Sequence, residues 1–117
     1  MNIPDIANGL QRELKRRKYF VRLEILEQTL SLIKARLYIS PDLFVQIYRN
    51  DRFQTTNLVL IHNGNRLFAR DEVDGHWHRH IHSAPEEHDF SVEGQRAIKL
   101  QEFLDEVEKI LAELNLP

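Results

Sequence analysis

Two dipeptides, Asn63-Gly64 and Asp74-Gly75, each interrupt runs in which apolar and polar residues alternate. Both central positions of the tightest hairpin turn need positive φ, which asparagine, aspartate and glycine tolerate. Each dipeptide therefore predicts a two-residue turn between antiparallel strands, and together they predict a three-strand meander over residues 55 to 62, 65 to 73 and 76 to 82.

The period of two begins earlier in the chain. Val21, Leu23 and Ile25 alternate with Arg22 and Glu24, and Leu43, Val45 and Ile47 alternate with Gln46 and Tyr48, as in half-buried strands. Ser40-Pro41-Asp42 separates two strands. Residues 30 to 39 fit two patterns: a helical stripe through Leu23, Leu26, Leu30, Ile33 and Leu37, and a strand through Ile33, Ala35, Leu37 and Ile39. The strand is the reading adopted.

Helical spacing marks both ends. Ile6, Leu10 and Leu14 recur every fourth residue after Pro4, which suits a helix start, so residues 4 to 18 read as a short amphipathic helix. Leu100, Phe103, Leu104, Val107, Ile110, Leu111 and Leu114 form an apolar stripe with the acidic residues off it. The expected fold class is α+β: an N-terminal helix, a meandering antiparallel sheet of five to six strands, and a C-terminal amphipathic helix packed on one sheet face. With 117 residues the chain has room for one core, so residues 1 to 117 read as a single domain.

No apolar run reaches the length of a membrane span or of a secretion signal, so a cytoplasmic location and no membrane partner are expected. There are no cysteines, which excludes disulfides and thiolate metal sites and leaves imidazole, carboxylate or carbonyl as the only metal ligands. The net charge of -2 is divided unevenly between the halves. Residues 1 to 60 carry ten Lys/Arg against six Asp/Glu, and the remainder carries six against twelve. The densest basic cluster, Arg12 to Lys18, offers Lys15, Arg16 and Arg17 as phosphate contacts, with Arg70 further along; its plainer reading is a solvated helix face.

Four of the six histidines lie in GHWHRHIH, at His76, His78, His80 and His82. If Asp74-Gly75 is a two-residue turn, Val73 faces His76, Asp71 faces His78, Ala69 faces His80 and Leu67 faces His82. Asn63-Gly64, treated the same way, adds His62, Leu60 and Leu58 to that face. Trp77, Arg79 and Ile81 fall on the other.

Three chemistries fit such a ladder. Residues two apart on a strand lie roughly 6.6 to 6.8 Å apart, so neutral imidazoles of His76, His78, His80 and His82 could converge on a divalent metal such as zinc. Alternatively, histidines could perform metal-free acid-base chemistry on RNA. One ring takes the ribose 2′-hydroxyl proton, another protonates the leaving oxygen, Asp71 fixes a tautomer, and Arg79 or Arg70 balances the phosphate. The third reading is structural: rings lining a wet sheet face, the better account for His62 or His88 taken singly.

The segment LFARDEVDGHWHRHIHSAPEEHDF, followed by LQEFLDEVEKIL, resembles the TumE family of toxins from type II toxin-antitoxin pairs. The likeness spans the last half of the chain. Pro85-Glu86-Glu87-His88 matches a Pro-x-x-His motif, Asp71 matches the family's acid, and Leu100 to Leu111 match its closing helix. Ala69 stands where an arginine is expected, with Arg70 shifted by one, and Glu72 stands at an amide position. The resemblance implies an RNA-directed toxin neutralised by a cognate antitoxin protein, and needs no cofactor. The catalytic set expected from the ladder and the resemblance together is His78, His80, His88, Asp71 and Arg79. Expected partners are the antitoxin, RNA and a second copy in a homodimer.

Overall fold

The computed structural model describes residues 2–81, 84 and 86–117. Asn2 caps the first helix, α1 (Ile3–Arg16), by accepting the Asp5 backbone N–H on its side-chain carbonyl at 2.9 Å. That bond satisfies one of the donors a first helical turn leaves unpaired. Pro4 lies in the same turn, where its missing N–H costs nothing, and Lys15 and Arg16 stand at the negative end of the helix dipole. Ile3, Ile6 and Leu10 are its buried stripe.

Six strands follow: β1 (Arg22–Gln28), β2 (Leu32–Ser40), β3 (Leu43–Asn50), β4 (Thr55–His62), β5 (Asn65–Val73) and β6 (His76–His80). They pair antiparallel in chain order, a plain meander. The ambiguous stretch is strand because pairing decides it: Ala35 sits between Ile25 on β1 and Ile47 on β3. Both turn dipeptides adopt the predicted backbone, with φ of 52° and 78° at Asn63 and Gly64, and 51° and 81° at Asp74 and Gly75.

Helix α2 (Leu100–Glu113) closes the chain, its start held by the Lys99 N–H donating to Glu102 Oε1 at 2.9 Å. One sheet face supplies Leu37, Val45, Leu58, Leu60 and Phe68 to a single buried cluster with Leu10 of α1 and Phe103, Leu104 and Val107 of α2. The Phe68 and Phe103 rings stack with centroids 5.5 Å apart, which fixes α2 to this face. Helix α1 lies against β1 and β2 and touches α2. Among the described residues, no helix is long and apolar enough to cross a membrane.

One departure from regular pairing decides what the opposite face carries. His62 faces Asn65 and Ile61 faces Arg66, but Leu60 then pairs with Phe68, so Leu67 becomes the extra residue of a β-bulge. Beyond it Val59 faces Ala69 and Asn57 faces Asp71. This corrects the unbroken register expected from Asn63-Gly64. Leu58, Leu60 and His62 belong to the helix side, while Asn57, Val59, Ile61 and Arg66 share the helix-free side with Asp71.

Candidate functional site

The second hairpin keeps the register its turn dictates: Val73 faces His76, Asp71 faces His78 and Ala69 faces His80. His78 and His80 consequently project from the helix-free side beside Asp71. After β6 the chain doubles back, and Arg79 and Asp89 exchange backbone hydrogen bonds of 3.3 and 2.7 Å. Alternation about that bridge brings His88 and Phe90 to the same side.

The result is a tight imidazole cluster. The His88 ring stacks on His78 with centroids 4.6 Å apart and stands edge-on to His80 at 4.5 Å; His78 and His80 are 5.3 Å apart. One ring nitrogen from each of the three lies within 4.8 Å of the others. Phe90, exposed, stands 5.7 Å from His78 and 5.6 Å from His88. His80 is buried, His78 half-buried and His88 exposed, so the cluster runs from the sheet surface to solvent.

Asp71 anchors its inner end. Its Oδ2 lies 3.5 Å from Nε2 of both His78 and His80, and the Asn57 side-chain amide donates to its Oδ1. Burial pushes the Asp71 carboxyl above the usual aspartate value, opposed by the charges of His78, His80 and Arg66 and by the Asn57 hydrogen bond. A carboxylate made costly by desolvation favours positive charge brought beside it, and the imidazoles of His78 and His80 line that place.

The returning segment is held from the other side of β6. Arg79 Nε and Nη2 each lie 2.6 Å from Asp89 Oδ2, and the Ser91 N–H donates to Asp89 Oδ1 at 3.0 Å. The bonds from Ser91, then Arg79, bring the Asp89 carboxyl down from 3.8 to about 2. The folded value is the lower one, so this contribution to stability is complete above about pH 4 and fades as pH falls towards 2. Asp89→Asn is expected to loosen the strap: amide exchange at Arg79 should quicken while the central strands keep their protection. Unchanged exchange at Arg79 would show that the ion pair does not hold the segment.

The structure thus brings His78, His80, His88 and Asp71 together and separates the other expected residues from them. His76 shares the face but stands at the exposed turn outside the cluster, and His82 lies outside the described residues. Arg79 faces away from the rings, so its expected place beside a phosphate is corrected to a strut for the strap. Lys15 and Arg16 are at the exposed end of α1. Arg17, only 4% exposed, binds Glu13 at 2.7 Å, Glu108 at 2.8 Å and Asp105 at 2.9 Å. Arg70, fully buried, binds Glu106 at 2.7 Å and Glu93 at 3.1 Å. Both guanidiniums are taken up by carboxylates within the fold, which corrects the expectation that they meet nucleic-acid phosphates.

Asn57, Arg66 and Phe90 escaped the sequence reading. The first two reach this face only through the Leu67 bulge; Phe90 follows from alternation with His88 once the strap is known. No family model matches this chain, and no curated protein or solved structure matches it either.

Proposed function

We propose that the chain is the toxin of a toxin-antitoxin pair and cleaves RNA by metal-free histidine acid-base chemistry at His78, His80, His88 and Asp71. The observation that carries this reading is the gathering of three imidazoles on a helix-free sheet face, two of them against one buried carboxylate. The resemblance of the segment from Leu67 to His88 supplies the toxin role and a protein antitoxin as partner.

Proton flow through the site is simple. Exposed His88 takes the proton of a ribose 2′-hydroxyl as its oxygen attacks the adjacent phosphorus. A protonated ring of the His78/His80 pair, held by Asp71, gives its proton to the departing 5′-oxygen. The products are a 2′,3′-cyclic phosphate and a 5′-hydroxyl, and Arg66 on the same face balances phosphate charge. Exposed Phe90 offers a ring on which a base stacks.

The surface leading to the site supports the same reading. Cross-strand pairing sets Lys34, Tyr48 and Asn57 in one row with Asp71 and His78, and Arg36, Gln46, Val59 and Ala69 in the next with His80. The Arg36 guanidinium lies 4.8 Å from the Phe44 ring and Arg22 4.1 Å from Tyr38. Cations and aromatic faces at a strand spacing of about 4.8 Å suit a nucleic-acid strand lying across the sheet. Paired Lys34→Ala and Arg36→Ala changes are expected to weaken RNA binding and flatten its salt dependence by about two phosphate contacts. Lys15→Ala with Arg16→Ala should leave the slope unchanged, and the opposite ranking would return the RNA path to α1.

The direct test is incubation of the purified chain with RNA in excess EDTA. Cleavage to 2′,3′-cyclic phosphate ends, lost on adding the antitoxin, is expected. Intact RNA, or cleavage that EDTA abolishes, would refute the metal-free reading.

A further inference from the structure

We infer that His78, His80 and His88 also form a binding site for one divalent transition-metal ion, with Asp71 beside two of the three rings. Tetrahedral coordination with bonds of about 2.0 to 2.1 Å sets neighbouring donor atoms about 3.3 to 3.4 Å apart. The two separations between Asp71 Oδ2 and Nε2 of His78 and His80, each 3.5 Å, already match that edge to within a few tenths of an ångström. The third imidazole lies close, with the three ring nitrogens inside 4.8 Å. His88, the exposed member, lies outside the strands, so closure is open to it by side-chain rotation without a shift of the sheet.

The donor set selects the ion. Three imidazole nitrogens suit zinc, nickel, cobalt or copper, whereas magnesium and calcium need a shell of oxygens. The local charge argues the same way. Asp71 is a buried carboxylate 3.5 Å from the rings of His78 and His80, and a dication bound by neutral imidazoles would offset its charge. Asn57, which donates to the oxygen of Asp71 that does not face His78 and His80, is placed to orient the carboxylate as an outer-shell partner.

The site differs from a metal held along the strand by His76, His78, His80 and His82. Strand neighbours supply only two of its imidazoles, and the third arrives from the returning segment. A consequence rests on the proposed function: ligand nitrogens cannot also carry protons, so metal occupancy and RNA cleavage exclude each other.

Chelator-treated protein titrated calorimetrically with zinc chloride tests the site. One ion per chain is expected, with affinity reduced at least tenfold in His88→Ala, whose exposed position leaves the fold intact. The same affinity loss is expected for His78→Ala, and an unchanged affinity for His62→Ala and His76→Ala. Magnesium chloride should give no binding heat. Absence of a 1:1 zinc complex, or a complex that survives His88→Ala but not His76→Ala, overturns the inference. RNA cleavage measured in the same samples separates the two readings. Zinc binding without any cleavage in EDTA leaves the metal site standing and removes the nuclease; cleavage in EDTA without zinc binding does the reverse. Cleavage that persists with stoichiometric zinc bound overturns the mutual exclusion.

Discussion

Replacing His88 by alanine is expected to lower RNA cleavage by about 10²- to 10⁴-fold, the range over which a positioned acid or base contributes, while the melting temperature hardly changes. The two halves of that expectation have separate causes. His88 is exposed and its contacts are ring faces at the surface, so little buried area is lost. Its nitrogen is nonetheless one of three that converge, and alanine leaves the His78/His80 pair without a partner for proton exchange. His80 is a poorer probe because it is buried at 2% exposure, so its loss disturbs packing and chemistry together. Single-turnover cleavage in EDTA, with melting curves on the same samples, checks the pair of outcomes. Full activity in His88→Ala would remove the strap from the mechanism.

Arg70→Ala is expected to destabilise the chain by about 3 to 5 kcal/mol, the usual cost of breaking a buried ion pair from one side. Arg70 has no exposed surface, and its guanidinium donates to both carboxylate oxygens of Glu106, to the Glu93 carboxylate, and to the Glu93 carbonyl at 2.6 Å. It therefore ties β5 to α2 and to the turn before it. Losing the side chain also opens a cavity beneath α2 and strands the Glu106 carboxylate, which is itself partly buried. For a domain with a total stability of about 5 to 15 kcal/mol, this is a large fraction. Arg70→Met restores volume, and Glu93 is exposed enough to hydrate, so a smaller loss is expected from that variant. Urea denaturation gives both values. A near-neutral Arg70→Ala combined with weakened RNA binding would reinstate Arg70 as a phosphate contact.

How far the fold could be read in the sequence follows from what each residue knows about its neighbours. The turns at Asn63-Gly64 and Asp74-Gly75 were legible because positive φ is a local property, and the second one alone placed His78 opposite Asp71 and His80 opposite Ala69. Residues 30 to 39 carried helical and strand periods together, and only pairing with β1 and β3 separated them. The Leu67 bulge left no local mark: Asn65 to Val73 alternate too weakly to reveal one extra residue, yet that residue turns Arg66 and Asn57 towards the site and His62 away from it.

The site divided along the same line. Three of its members share one hairpin, so register theory found them, while His88 arrived from a segment held by a bridge to Arg79 that no periodicity announces. The basic residues misled for a different reason. Charge density in Arg12 to Lys18 was visible, but the acids that bury Arg17 are Asp105 and Glu108, some ninety positions away on α2. Sequence shows how many cations a stretch holds, and only the fold shows which of them are already occupied.

The central claim is that the imidazoles of His78, His80 and His88 meet on one surface, and proton-proton contacts between the rings test it most directly. With the histidine side chains isotopically labelled, nuclear Overhauser cross-peaks are expected from His88 ring protons to those of both His78 and His80, whose centroids lie 4.6 and 4.5 Å away. No such peaks should link His88 to His62. A spectrum in which His88 shows no contact with either β6 ring would contradict the account.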